Sequence, residues 1–253
     1  MEIRLLGTGT SQGVPVLACH CPVCTSNEPK DQRLRSSCLL IHQDKYLVID
    51  AGPDFRQQML RHRVPRLDAV LLTHEHRDHI SGLDDLRAYN FAQDAHIPVY
   101  GLQRCLDDLR RSYAYMFGDY PGAPRLTLHP IDENSQLQWQ GLNIQPIGIQ
   151  HGKLPILGYR IGNFAYLTDV KHLPEHQLSK LQDLEVLVLS ALHHEGHPTH
   201  LSLPEALDLI QVLQPQQTYL THISHRMGLH LHVEATLPPQ VHLAYDGLHF
   251  SVS

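Results

Sequence analysis

Residues 74–79 read His74-Glu75-His76-Arg77-Asp78-His79, directly after the apolar run Ala69-Val70-Leu71-Leu72. Four metal-ligand types, His74, His76, Asp78 and His79, crowd the exit of an expected strand. A solvated loop has no reason to concentrate them, even in a chain with 21 histidines. A divalent-metal site does, because imidazole suits Zn, Fe and Mn and a carboxylate offsets cationic charge. His74 and His76 can project from one side of an extended loop. Asp78 and His79 would turn to a second point if a helix begins there. Two neighbouring metal positions need further ligands from distant strand ends, where loops gather. The chain offers His151 after the run Asn143–Gln150, Asp169 after Phe164–Thr168, and His222 after Thr218–Thr221. Alone, each reads as a capping Asp or a half-buried His. Together with the 74–79 cluster they make a full ligand set, and its N/O donors accept Zn, Mn or Fe.

A second group of residues could also do chemistry. Cys19-His20-Cys21-Pro22-Val23-Cys24 places three thiols within six residues. In a chain whose N-terminus starts a strand at once, with no visible signal peptide, such spacing favours a metal over disulfides. A structural zinc wants four ligands, so one is missing locally, and His20 is too close to supply it easily. Cys38 and Cys105 lie in apolar or helical runs and read as small buried hydrophobes. His200, just before a helix, is a candidate proton donor, histidine being the usual acid at neutral pH. With His193, His194 and His197 nearby, a surface histidine cluster is the alternative. Asp50 ends a strand and could orient a ligand histidine or simply make a turn. Asp246-Gly247, between two expected strands, has an ordinary hairpin-turn pattern. Gly7–Gly13 can present backbone N–H groups to an anion; it borders the site or lets the chain turn.

The elements that must position these residues follow from periodicity. Strands are expected at 2–6, 38–42, 46–50, 68–72, 97–100, 126–129, 143–149, 157–161, 164–168, 185–189, 217–221, 241–244 and 248–252. Helices are expected at 54–62, 79–91, 102–112, 174–181 and 202–213. The last starts with a capping box, Ser202 and Glu205, with Pro204 in its first turn. Strand runs separated by helices suit two mixed sheets flanked by helices. The 253 residues, 42% hydrophobic and 18% charged, can bury a sizeable core, read here as one domain over 1–253.

The His-x-His-x-Asp-His signature, with His151, Asp169 and His222 following in order, resembles the metallo-β-lactamase fold superfamily. The match runs over nearly the whole chain. The resemblance implies an α/β fold, a four-layer αββα sandwich with metals at the edge between the sheets. It implies one metal on His74, His76, His151 and Asp169, and a second on Asp78, His79, His222 and the bridging Asp169. His76 argues against the flavodiiron branch, which typically has glutamate there. The Cys-x-Cys-x-x-Cys loop, within about 14–30, and the ending Thr221-His222-Ile223-Ser224-His225 narrow the resemblance to the phosphoribosyl cyclic phosphodiesterase group of the carbon–phosphorus lyase pathway. That resemblance implies a structural zinc held by three thiolates and one imidazole: Cys19, Cys21, Cys24 and His225. It also places His200 at the position of that group's general acid, and a comparable Asp-Gly near its active site.

The expected function is therefore a metal-dependent hydrolase of small, cyclic phosphodiesters, acting through a hydroxide bridging two divalent ions. Asp78 would hold the hydroxide in line and His200 would protonate the leaving oxygen. The alternatives are a thioester or lactone hydrolase on the same fold, and a metal-loaded accessory protein in cofactor synthesis. A tRNA 3′-end nuclease fits less well: the net charge is −6, and Ser112–Arg125 is short and aromatic where that branch has a basic arm. No apolar run approaches the roughly 18–20 residues that span a bilayer. The expectation is a cytoplasmic protein taking a small-molecule substrate, with no membrane partner and with a homodimer left open.

Overall fold

The alternating and apolar runs pair into two seven-stranded sheets in the computed structural model, which describes residues 1–253. The chain lays down β1 (Glu2–Gly7), β2 (Ser37–His42), β3 (Lys45–Ile49), β4 (Ala69–Leu71), β5 (Ile97–Gly101) and β6 (Leu126–Pro130). It continues through β7 (Leu137–Trp139), β8 (Leu142–His151), β9 (Leu154–Ile161), β10 (Phe164–Leu167), β11 (Val186–Ser190), β12 (Gln217–Thr221) and β13 (Val241–Leu243), and ends with β14 (His249–Ser251). The first sheet has the order β14-β1-β2-β3-β4-β5-β6 and the second β13-β12-β11-β10-β9-β8-β7. Both are mixed: β3 to β6 run parallel, as do β10 to β13, while β1–β2–β3 and β7 to β10 pair antiparallel.

Three apolar cores define four layers. Leu5, Leu40, Leu71, Tyr159, Tyr166 and Val188 fill the space between the sheets. Leu39, Val48, Val70 and Val99 face outward from the first sheet onto α1 (Phe55–Arg61) and α4 (Gln103–Ser112). Leu187, Leu189 and Leu220 face outward from the second sheet onto α6 (Leu203–Leu213). Helix α6 begins with the expected capping box: Ser202 N donates to Glu205 Oε2 at 2.7 Å, and Glu205 N donates to Ser202 Oγ at 3.5 Å. No helix is long and apolar enough to cross a membrane.

Two expectations are corrected. The helix expected over 79–91 breaks into α2 (Arg77–Ile80), a 3-10 turn (Leu83–Leu86) and α3 (Arg87–Gln93). The break lies at Gly82, where a Cβ would stand 2.1 Å from the Gly52 carbonyl oxygen. A Cβ on Gly52 would in turn stand 2.0 Å from the Asp78 carbonyl oxygen. These segments pack backbone on backbone, which a continuous helix with side chains would not allow. Asp246-Gly247 is not a hairpin: β13 belongs to the second sheet and β14 to the first, beside β1. Asp246 instead accepts from Thr8 N (2.9 Å), Thr8 Oγ1 (2.8 Å) and Leu34 N (2.7 Å). Short β7 and α7 (His230–Glu234) carry too little periodicity to be expected from the sequence.

Candidate metal centre

The 74–79 segment leaves β4 extended and turns into α2 with His76 at the N-cap. The extended part aims His74 and His76 together, with ring centroids 4.5 Å apart. The helical turn redirects Asp78 and His79, and His79 Nε2 lies 3.1 Å from Asp78 Oδ2. From the second sheet come His151 at the end of β8, Asp169 just beyond β10 and His222 just beyond β12. All seven residues meet at one edge between the sheets. The possible ligand groups at this edge are His74/His76/His151, Asp78/His79/His222, His74/His79/Asp169 and His151/Asp169/His200, each with donor atoms within 4.8 Å of one another. Asp169 touches both sides: Oδ2 lies 3.3 Å from His79 Nε2 and Oδ1 lies 3.2 Å from His222 Nε2. Ligands about 2.0–2.1 Å from one tetrahedral ion stand roughly 3.3 Å apart, so the spacing fits a metal.

The donor chemistry fits as well. Four histidines have their Nδ1 tied to an acceptor, which leaves Nε2 as the free donor. His79 Nδ1 donates to Asp50 Oδ2 at 2.6 Å, and His151 Nδ1 donates to the Thr199 carbonyl at 2.7 Å. The Thr73 hydroxyl donates to Asp50 Oδ2, so it accepts from His74 Nδ1 at 3.0 Å. The Ser36 hydroxyl donates to Gly9 O, so it accepts from His222 Nδ1 at 3.1 Å. The Nε2 atoms of His74 and His79 are buried with no hydrogen-bond partner. Two orphaned lone-pair nitrogens aimed at a shared carboxylate are what a cation would satisfy.

Electrostatics points the same way. Burial opposes a charge on His79, yet Asp169, Asp50 and Asp78 together hold its imidazolium well above the ordinary range. Burial likewise opposes the Asp169 charge, and His222 and His79 hold its carboxyl well below the usual carboxylate range. The carboxylates thus create a strong demand for positive charge at His79 Nε2, and a cation bound there displaces protons. Burial pushes His74 well below its ordinary value, as a neutral ligand imidazole requires.

His200 is not on the surface. Its ring stacks on His222 with centroids 5.0 Å apart and lies 4.6 Å from that of His151. Its Nδ1 is buried without a hydrogen bond, 3.7 Å from Asp169 Oδ1. Burial and the neighbouring His222 push it down to about 3. His197 packs beside it at 5.2 Å, while His194 and Glu195 are exposed.

The cysteine loop folds onto the ending of the β12 segment. Cys19, Cys21 and Cys24 place their Sγ atoms 3.3, 3.4 and 3.4 Å from His225 Nδ1. The three sulfurs and one nitrogen form a compact group with the donor set of a structural zinc site. Cys24 N–H donates to Cys21 Sγ at 3.4 Å and, against burial, draws that thiol down to about 6. Cys38 and Cys105 are buried and unpaired.

Several functional contacts had no individual signal in the sequence. Ser36, Thr73 and the Thr199 carbonyl fix ligand tautomers, and Thr10 Oγ1 lies 3.3 Å from His222 Nε2. Asp50, Asp169 and His222 share another mark: all three have left-handed backbone, with φ of 62°, 57° and 57°. Such conformations are uncommon outside glycine and cluster at functional sites.

The fold and this centre are those of the metallo-β-lactamase fold, and the chain belongs to that superfamily: the family model described as "Beta-lactamase superfamily domain" matches residues 45–223. The family implies divalent metal ions. A diphosphatase from the PhnP family superposes with a TM-score of 0.94 at 36% identity, covering 100% of this chain and 98% of that one. An octanoyltransferase of Porphyromonas gingivalis is 42% identical over 252 residues, which is 98% of this chain. The match covers 51% of that protein, so the chain spans about half the length of this relative. The Zn(2+)-bound PqqB from Methylobacterium extorquens shares the fold, with a TM-score of 0.81 at 18% identity and 100% coverage of both chains.

Proposed function

We propose that the chain hydrolyses small phosphodiesters, cyclic ones among them. The observation that carries this reading is His200, packed against His222 and His151 within reach of Asp169. A phosphodiester with an alkoxide leaving group needs a proton donor at that place, and hydrolysis of an activated ester does not. The diphosphatase relative, at 36% identity, also acts at phosphorus.

In this reading His74, His76 and His151 would hold one divalent ion and Asp78, His79 and His222 a second, with Asp169 within reach of both groups. Zn, Mn and Fe all suit these donors. Such ions, when bound, supply Lewis acidity and bring water toward ionisation near neutral pH. Asp50, Thr73, Ser36 and Thr199 keep the imidazoles of His74, His79, His151 and His222 in the tautomer that presents Nε2. Asp78, beside His79, orients the attacking water. His200 delivers a proton to the departing oxygen. Its low proton affinity is a consequence of burial, and the negative charge of a bound phosphodiester raises it. Cys19, Cys21, Cys24 and His225 hold a structural zinc apart from this chemistry.

A second reading, an acyl thioester hydrolase, is favoured by one observation, the octanoyltransferase relative. A substrate panel separates the two: a ribosyl 2′,3′-cyclic phosphate, bis(p-nitrophenyl) phosphate and an octanoyl thioester. The phosphodiesters should be turned over in preference to the thioester. His200→Ala should slow the ribosyl substrate by about 10²–10⁴-fold, the range of general-acid catalysis. It should slow the nitrophenyl substrate far less, because that leaving group needs little protonation. Equal losses on both would make His200 a binding residue. Turnover of the thioester alone would establish the second reading.

A further inference from the structure

We infer that the turn at Ser11-Gln12 and the side chain of Arg35 form an anion subsite on the His222 side of the centre, which holds a phosphoryl oxygen of the substrate. The inference rests on the phosphodiester reading and names a binding element for it.

The loop after β1 is pinned at nearly every polar backbone atom. Gly9 N donates to Leu34 O at 2.8 Å, Thr10 N to Ile223 O at 3.1 Å and Gly13 N to Thr10 O at 2.8 Å. Between them, Ser11 and Gln12 are exposed, and their N–H groups donate to nothing in the protein. Gly13, with φ 66°, closes the turn. Two adjacent free N–H groups on a rigid turn are donors for an anion.

Arg35 stands against the same turn. Its Nε donates to Ser11 O at 3.3 Å, and its Nη1 is held by Asp54 at 2.9 and 3.1 Å. Nη2 has no acceptor within the protein, and about a third of the side chain (32%) is exposed. Asp54 also accepts from Arg35 N at 2.8 Å, so the guanidinium is fixed in place with one edge free. Asp54 offsets part of its charge and leaves its hydrogen-bonding capacity on that edge.

The subsite is close to the chemistry. Thr10 Oγ1 lies 3.3 Å from His222 Nε2. Ser11 N is bonded to Thr10, which places it within roughly 8 Å of that nitrogen by covalent geometry. The residue following Arg35 is Ser36, whose hydroxyl sets the His222 tautomer. One small phosphodiester can reach both the metal ligands and this turn. A neutral ester has no anionic oxygen to place there.

The test is steady-state kinetics of the metal-loaded wild-type protein, Arg35→Gln and Arg35→Lys. Each is assayed on bis(p-nitrophenyl) phosphate with inorganic phosphate as inhibitor. Loss of a charge-assisted contact should raise KM and the phosphate Ki together, by about 10- to 100-fold, with kcat little changed. Arg35→Lys should recover part of the loss. Metal content and melting temperature are measured in parallel. Unchanged KM and Ki in Arg35→Gln would overturn the subsite, and so would a fall in kcat or metal content alone. If the wild type hydrolyses only the thioester, the phosphodiester reading fails instead. Inhibition of that activity by inorganic phosphate, compared between wild type and Arg35→Gln, then tests the subsite by itself.

Discussion

At the scale of single residues, Asp50 does the most with one carboxylate. It is wholly buried and accepts from Thr73 N at 2.8 Å, Thr73 Oγ1 at 2.7 Å and His79 Nδ1 at 2.6 Å. Through Thr73 it sets His74, and directly it sets His79, so it governs one imidazole in each proposed metal position. Burial raises its pKa, against the pull of His79. An amide in its place has one acceptor oxygen and cannot serve three donors. Asp50→Asn should weaken metal binding by about 10- to 100-fold, the usual cost of losing a supporting hydrogen bond. Competition against a chromogenic chelator measures it, and an unchanged affinity would show that Asp50 only shapes the turn. The residues proposed as ligands stand out in the sequence because their types are rare and their spacing tight. Ser36, Thr73 and Thr10 are not, since a hydroxyl residue in a loop is ordinary until the fold brings it to a histidine.

At the scale of elements, the cysteine loop and the β12 ending are one unit. His222 serves the proposed dinuclear centre and His225, three residues later, meets the thiols. Backbone bonds join the same segments: Ile223 N donates to Thr8 O at 2.9 Å, and His230 N donates to Asp31 Oδ1 at 2.7 Å. Cys21→Ser should lose about one equivalent of zinc, by the one-ion stoichiometry of a four-ligand structural site. Mass spectrometry under native conditions reads that loss. The dinuclear ligands should stay loaded, with a partial fall in activity transmitted through Ile223. Wild-type protein with no thiolate–metal signal in X-ray absorption would remove the site. Elements are readable where periodicity is long, as in β8, β11 and α6. The interruption of the helix over 79–91 is not, because it depends on Gly82 meeting Gly52, a contact between segments distant in sequence. The Asp246-Gly247 turn misleads because the choice of sheet for β14 is made by β1.

At the scale of the whole molecule, the centre is assembled from both halves of the sandwich. The first sheet's connections supply His74, His76, Asp78 and His79; the second's supply His151, Asp169 and His222. A cation that binds this set ties the two sheets together and stabilises the folded state by mass action. Thermal melting in the presence of a strong chelator should therefore begin at a lower temperature, and returning zinc or manganese should reverse the shift. The two proposed positions are not equally sealed. His76 is exposed at the mouth, whereas in the other position Asp78 is only partly exposed, His79 is buried, and His222 is buried against Thr10 and Ser36. The two ions should thus have different residence times. The outer one leaves through a gap already open to solvent; the inner one waits for the loop after β1 to part from Ile223. Dilution into chelator should release metal in a fast and a slow phase, followed by a metallochromic dye. The slow rate should rise when Thr10→Ala removes the loop's side-chain contact with His222, and a single phase for both ions would mean that they share one exit.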